Sequence, residues 1–282
     1  MNSFHRIGFV GQGFVGKNYA NSFEERNFNI VRYALEFPYS NNKNLISFCD
    51  VVFIAVPTPT TKNGFDFSLI KESLTLVGKG KIAVIKSTVL PGTIRKLQED
   101  YLNIFIIYSP EFLREENAYF DVVNPERNII GVSVLNSKHQ KIANHVISIL
   151  PAALYTKVCS YEEAELIKYI GNNFLTTKVV FMNIMYEISS KLGCDWSTIK
   201  NSVAADSRIG ESHMNIIHNG GRGAGGHCFV KDFSAFRLFY EESLEGQIKS
   251  IEFLKTVEFK NIELLKESNK NIDILEDVYG NF

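Results

Sequence analysis

Two stretches of the chain carry residue types whose spacing could do chemistry. "GGRGAGGHCFVKDF", residues 220–233, sets five glycines and one thiol within nine positions and follows them with a Lys-Asp pair. A cysteine on so bare a segment is either a small residue filling a tight turn or a nucleophile that the glycines leave open to close approach. A thiolate can add to a carbonyl carbon; loss of hydride from the adduct gives a thioester, and water releases the acid. Cys228 is the candidate for that role. The second stretch, "GFVGQGFVGKNYA", contains Gly11-x-Gly13-x-x-Gly16. The first glycine permits a tight turn, the second lets backbone approach a pyrophosphate, and the third lets helix and strand pack closely. Phe14 and Val15, inside the turn, are placed at the same ligand. Glu36 follows Gly16 by 20 residues, where a carboxylate can bond ribose hydroxyls and repel a 2′-phosphate. That spacing favours NAD; Arg32 argues the other way if it reaches the pocket.

These residues need elements to position them. The first half alternates short β-branched apolar runs with amphipathic stretches. "RIGFV" (6–10) predicts a strand, followed by a helix to about Glu25, and "NIVRY" (29–33) a second strand. "VVFIAV" (51–56), "KIAVIK" (81–86), "NIFIIY" (103–108), "RNIIGVSV" (127–134) and "LYTKV" (154–158) follow, with helical segments between. Such alternation predicts a doubly wound parallel sheet of Rossmann type, α/β in class. From Tyr161 to about Leu192 the pattern is one long helix. A helix capped near Asp195, a loop over 206–230 and charged helical segments over 232–268 complete the expectation. The domains are expected at 1–160, an NAD-binding Rossmann-type unit, and at 161–282, a long central helix with an all-α dimerisation and catalytic domain.

A chain of 282 residues has room for one large domain or two ordinary ones, and 45 % apolar residues allow a substantial core. The net charge of −1 argues against a nucleic-acid binder, which needs a basic surface. Cys49, Cys159, Cys194 and Cys228 are scattered without CxxC spacing, which argues against a disulfide framework or a metal site. The N-terminus shows no signal-peptide pattern, and the apolar runs fall far short of the ~18 residues that span a membrane. The expected compartment is the cytoplasm.

Five further stretches stand in order: "DVVFIAVPTPT", "VIKSTVLPGT", "SPEFLREENAYFDVVNPERNIIG", "EAELIKYIGNNFLTTKVVFMNI" and "DSRIGESHMN…GAGGHCFVKD". Together they resemble the UDP-glucose/GDP-mannose dehydrogenase family over residues 5 to about 240. The resemblance implies oxidation of a nucleotide sugar's primary alcohol to a carboxylate with two NAD, through a Cys228 thiohemiacetal and thioester. It implies that Lys168 and Asn172, four apart on one helical face with Glu165 in the same stripe, stabilise an oxyanion or position a water. Glu111 matches the acid that assists thioester hydrolysis, and Phe112 and Leu113 match residues lining the sugar site. Glu115 matches a carboxylate near the nicotinamide, although Glu116 stands where the family usually has glycine. Thr88 matches a hydroxyl holding the catalytic water beside the cofactor. Val56 and Thr58 match the cofactor-lining turn, in which Pro57 replaces a glycine. Lys231 matches a cofactor contact, Asp232 the residue ordering the active-site water, and Arg208 a substrate-binding arginine that reaches across a dimer. Gly225 belongs to the substrate loop.

Two departures accompany the resemblance. Only thirteen residues separate Glu36 from Asp50, so the adenosine side of the pocket is expected to be abbreviated. The family's third domain, which clamps the nucleotide diphosphate, is expected to be absent. A natural short form, a second polypeptide supplying the clamp, or a remnant that binds NAD but turns over poorly would account for this; the filled catalytic positions argue against the last. The expected partners are a nucleotide sugar or related sugar and a second copy joined through the 161–192 helix. A two-electron β-hydroxyacid dehydrogenase and a non-catalytic NAD-binding subunit are the rival readings.

Overall fold

In the computed structural model, which describes residues 6–62 and 64–280, the apolar runs of the first half fold as strands of one sheet. The order along the chain is β1 (Arg6–Val10), α1 (Phe14–Glu25), β2 (Asn29–Tyr33), β3 (Val51–Ile54), a two-strand hairpin of β4 (Thr60–Thr61) and β5 (Gly64–Phe65), α2 (Ser68–Leu74), β6 (Ile82–Ile85), α3 (Thr93–Asp100), β7 (Phe105–Tyr108), α4 (Ala118–Val123), β8 (Arg127–Val132), α5 (Ser137–Ile149), β9 (Tyr155–Ser160) and the long helix α6 (Tyr161–Lys191). The main sheet runs β2-β1-β3-β6-β7-β8-β9. Its strands are parallel except where β8 meets β7. The connection from β7 to β8, residues 109–126, holds only the six-residue α4, and β8 runs back against β7. Strands covered on both faces read as unbroken apolar runs, and Ile7, Phe9, Val51, Phe53, Val84, Ile107 and Ile130 are all buried. The rings of Phe9, Phe23 and Phe53 meet at 5.2–5.3 Å between centroids. Between β2 and β3 the thirteen-residue segment forms a 3-10 helix over Ser40–Phe48 and seals the core with Ile46. The greater rise of that helix, ~2 Å per residue, lets few residues cover the distance.

The chain divides into two compact units. The first is the chain up to Thr58 with Asp66–Lys168; the second is Pro59–Phe65 with everything from Tyr169 onward. The opening turns of α6 thus count with the sheet, and the β4–β5 hairpin with the helices. The second unit adds α7 (Trp196–Ala204), capped by the Asp195 side chain on the N–H groups of Ser197 and Thr198, then α8 (Gly226–Ser243), α9 (Ile248–Glu267) and α10 (Ile272–Tyr279). Helices α8 and α10 pack on each other and both pack on β4. Val230, Ile262, Leu265, Ile274, Leu275 and Val278 form their common core. The expected loop over 206–230 is shorter than the sequence suggested, because α8 starts at Gly226 and takes Cys228 into its first turn. Among the described residues, no helix is long and apolar enough to cross a membrane.

Candidate functional site

In the first unit the carboxyl ends of β1 and β3 lie side by side where the chain order of the sheet reverses, the place at which open α/β sheets bind ligands. Gly11 (φ 89°) follows β1, and a Cβ there would sit 2.2 Å from the Ala55 carbonyl oxygen beyond β3. A Cβ on Gly16 would lie 1.9 Å from the Gly11 oxygen. Around the Cβ position of Gly13 there is open space, and α1 starts there with no side chain capping its first turn. This cradle fits a dinucleotide: the backbone can be approached at Gly13, and the N–H groups from Phe14 on, beside Val15 and Gly16, can receive phosphate. Glu36 lies exposed past the end of β2. Arg32 reaches the glycine turn, donating to Gln12 Oε1 at 3.4 Å, and is otherwise held by Asn21 Oδ1 at 2.9 Å and Glu24 at 2.7 Å. The turn after β3 is locked without help from Pro57. The Val56 N–H donates to Ser87 Oγ (3.0 Å), Ser87 Oγ donates to the Val56 carbonyl (2.7 Å), and Thr58 Oγ1 donates to the Thr88 carbonyl (2.8 Å). Thr88 is buried.

Beyond β6 and β7 the same unit holds a buried charge cluster. Lys168 Nζ donates to both the backbone oxygen and Oε1 of Glu111, each at 2.8 Å. The Leu113 N–H donates to Glu111 Oε2 at 2.7 Å. Burial pushes the Glu111 carboxyl up, but the ammonium of Lys168, the Leu113 N–H and Lys86 outweigh it and hold it below the usual carboxylate range. The Phe112 ring lies under the Arg127 guanidinium at 3.8 Å, with Lys168 Nζ at 5.6 Å. Glu115 is exposed at the start of a short 3-10 turn. Lys86, which lies in the stretch "VIKSTVLPGT" but received no role there, is 2 % exposed, sits 4.3 Å over the Tyr19 ring and donates to Ser109 Oγ at 3.2 Å. Burial brings it down to about 7. A lysine ending an otherwise apolar strand was the available signal. Glu165 does not join the Lys168 stripe: it accepts from the N–H groups of Gly92 (2.6 Å) and Ile94 (2.9 Å) and caps α3.

The second unit assembles Asn172, Lys231 and Asp232. Asp232 is fully buried on α8; its Oδ2 accepts from Asn172 Nδ2 at 2.7 Å and its Oδ1 from Lys231 Nζ. Cys228 is exposed one helical turn before Asp232, on the same face of α8. Gly225 is the residue on which that helix starts. The loop glycines do not serve the sulfur alone. Cβ atoms at Gly221 and Gly225 would collide with Ser268, Lys270 and Asn271, at 2.2–2.8 Å, so the chain's own later segment fills space that the glycine pattern alone leaves to a ligand. Arg208 stands apart, 87 % exposed at its side chain and paired with Asp206 at 2.6 Å.

A doubly wound sheet with a glycine turn at its reversal point, followed by a helical unit carrying thiol, amide and carboxylate, defines a dinucleotide-binding protein of Rossmann type. The family model for the NAD binding domain of the UDP-glucose/GDP-mannose dehydrogenase family matches residues 34–148, and that for the central domain of the same family matches residues 162–261. The chain belongs to the UDP-glucose/GDP-mannose dehydrogenase family. It is 35 % identical over 200 residues to the UDP-glucose 6-dehydrogenase TuaD of Bacillus subtilis, covering 66 % of this chain and 41 % of that one. A UDP-glucose dehydrogenase structure from Pyrobaculum islandicum superposes with a TM-score of 0.79 at 25 % identity, covering 98 % of this chain and 72 % of the other. A 3-hydroxyisobutyrate dehydrogenase from Mycobacterium tuberculosis shares the fold, with a TM-score of 0.72 at 11 % identity over 94 % of this chain and 95 % of its own. The chain spans about half the length or less of the curated relatives it matches.

Proposed function

We propose that this chain oxidises the primary alcohol of a nucleotide sugar to the carboxylate, with Cys228 as nucleophile for the second oxidation. The observation that carries the reading is the Asn172–Asp232–Lys231 cluster, built on a fully buried Asp232 one helical turn from an exposed thiol. NAD, held at Gly11–Gly13–Gly16 with Glu36 on the ribose side, supplies the hydride acceptor when bound. Removing hydride from the alcohol carbon also requires its hydroxyl proton to leave. Lys168 and Asn172 are the groups suited to orient the water that takes that proton and to stabilise the alkoxide. The aldehyde then accepts the Cys228 sulfur at carbon, and the carbonyl oxygen becomes the hydroxyl of a thiohemiacetal. Loss of hydride from carbon and of that hydroxyl proton leaves a thioester. Glu111, ionised because Lys168 holds it so, accepts a proton from water as its oxygen bonds to the acyl carbon; the Cys228 sulfur leaves with the pair of the broken C–S bond. Asp232 and Thr88 order that water. The first turn of α8 aids the sulfur, since helix N-termini favour negative charge.

Cys228→Ser separates this reading from its rivals. Purified protein with NAD and a panel of nucleotide sugars is expected to yield two NADH and one carboxylate per sugar; the variant is expected to lose acid formation. Equal turnover by both proteins, one NADH per sugar, would favour the two-electron dehydrogenase. No NADH under any condition would favour a non-catalytic subunit.

A homodimer is part of the same proposal. Ile170, Phe174, Phe181, Ile184 and Ile188 form an exposed apolar stripe at helical spacing along α6, continued by Leu192 just past its end. A cavity of about 350 Å³ lined by Phe181, Met185, Ile188 and Trp196 opens beside it.

A further inference from the structure

Helix α8 starts on Gly225, which has no side chain to cap the N–H groups of the first turn. The cap comes from far along the chain. Asn271 Oδ1 accepts from the Gly226 N–H at 2.9 Å, across 45 residues. Asn271 lies in the left-handed region (φ 52°, ψ 40°), which asparagine tolerates better than most side chains. Beside it Lys270 is 6 % exposed, and its Nζ donates to the carbonyls of Gly223 at 3.0 Å and Gly221 at 3.5 Å. Ser268 Oγ accepts from the Arg222 N–H at 2.9 Å. The Asn261 amide clasps Ala224, accepting from its N–H at 2.7 Å and donating to its carbonyl at 2.9 Å. The backbone leading to Cys228 is therefore bonded, residue after residue, by polar side chains of 261–271. The turn between α9 and α10 that carries Lys270 and Asn271 is itself pinned by Leu265, Ile274 and Leu275 in the core. Both residues lie past residue 261, where the family match ends.

We propose that Lys270 and Asn271 are positioning residues for Cys228, holding residues 221–226 and the first turn of α8 in the conformation that presents the sulfur. The proposal rests on the reading of Cys228 as nucleophile. A lysine and an asparagine whose polar atoms go to carbonyls and an N–H of this one segment contribute order to it; the apolar residues of α10 anchor the helix without them.

The test is the rate of Cys228 alkylation by iodoacetamide, read by mass spectrometry as a ratio to the alkylation of free N-acetylcysteine in the same tube. Asn271→Gly keeps the left-handed backbone and removes only the acceptor; Asn271→Asp restores an acceptor. The ratio is expected to fall about fivefold in Asn271→Gly, the factor that one lost helix cap corresponds to, and to recover in Asn271→Asp. Lys270→Met is expected to lower it in the same direction, and stands in should the glycine variant fail to fold. An unchanged or raised ratio in the folded variants overturns the proposal. With a nucleotide sugar as substrate, kcat is expected to fall in step while KM for NAD stays at the wild-type value. Absence of NADH from the wild-type protein would sink the oxidation reading, and the alkylation ratio alone would then decide the positioning role.

Discussion

At the scale of single residues the first unit concentrates its electrostatics in one buried cluster. Glu111, Lys168 and Lys86 put two amines around one carboxylate, so one amine carries a desolvation cost that no carboxylate fully offsets. Lys86 bears it, with burial bringing it from the ordinary lysine value of 10.5 to about 7. Below pH 7 the folded and unfolded chains both protonate Lys86, and the cost is present in full. Between about pH 7 and 10.5 only the unfolded chain holds the extra proton, so raising the pH relieves the fold of it. Lys86→Met removes the penalised charge. It is expected to raise the unfolding midpoint more at pH 6 than at pH 9, the difference amounting to roughly 2–3 kcal/mol. Thermal melts of both proteins at the two pH values measure it, and a pH-independent gap would contradict the burial argument. Glu111 and Lys168 stand out in the sequence within motifs, but nothing there marks Lys86 as sharing their charge balance, because that depends on which strand ends are neighbours.

At the scale of elements, three helices among the described residues have glycine at the N-cap, and they resolve the bare N-terminus in different ways. Helix α1, with Gly13 at its N-cap, has no side-chain cap and leaves its first turn open. Helix α3, starting at Gly92, is capped by Glu165. Helix α8 is capped by Asn271. Glu165→Ala is expected to cost about 1–2 kcal/mol, the range for a lost cap, and Glu165→Gln less, since an amide oxygen still accepts one N–H. Urea unfolding of the three proteins ranks them; equal stability would remove Glu165 from the capping role. The same contrast explains which parts of the fold were legible. Strands buried on both faces announce themselves as apolar runs, and Asp195 announces α7 because its cap is local. The start of α8 was hidden, since glycines, His227 and Cys228 read as loop unless Asn271 is known to lie against them. The β4–β5 hairpin was hidden as well, because two-residue strands carry no periodicity.

At the scale of the whole molecule, the exposed stripe on α6 sets the expected assembly. Light scattering should give twice the chain mass of 32.0 kDa, and the pair Phe181→Glu with Ile188→Glu should give the single mass. A single mass for the wild-type protein would show that the stripe has another role. The cofactor turn and Lys168, Glu111, Asn172 and Asp232 singly stood out as motif residues. Their pairing partners did not, because those are set by tertiary neighbours tens of residues away.

The β4–β5 hairpin has a practical consequence for anyone recombining this chain with a relative. It is encoded among the strands of the nucleotide fold yet seats α8 and α10. A chimera cut only at the long helix would graft the thiol-bearing bundle onto a foreign insert. Such hybrids should regain solubility when residues 59–65 travel with the donor's C-terminal half.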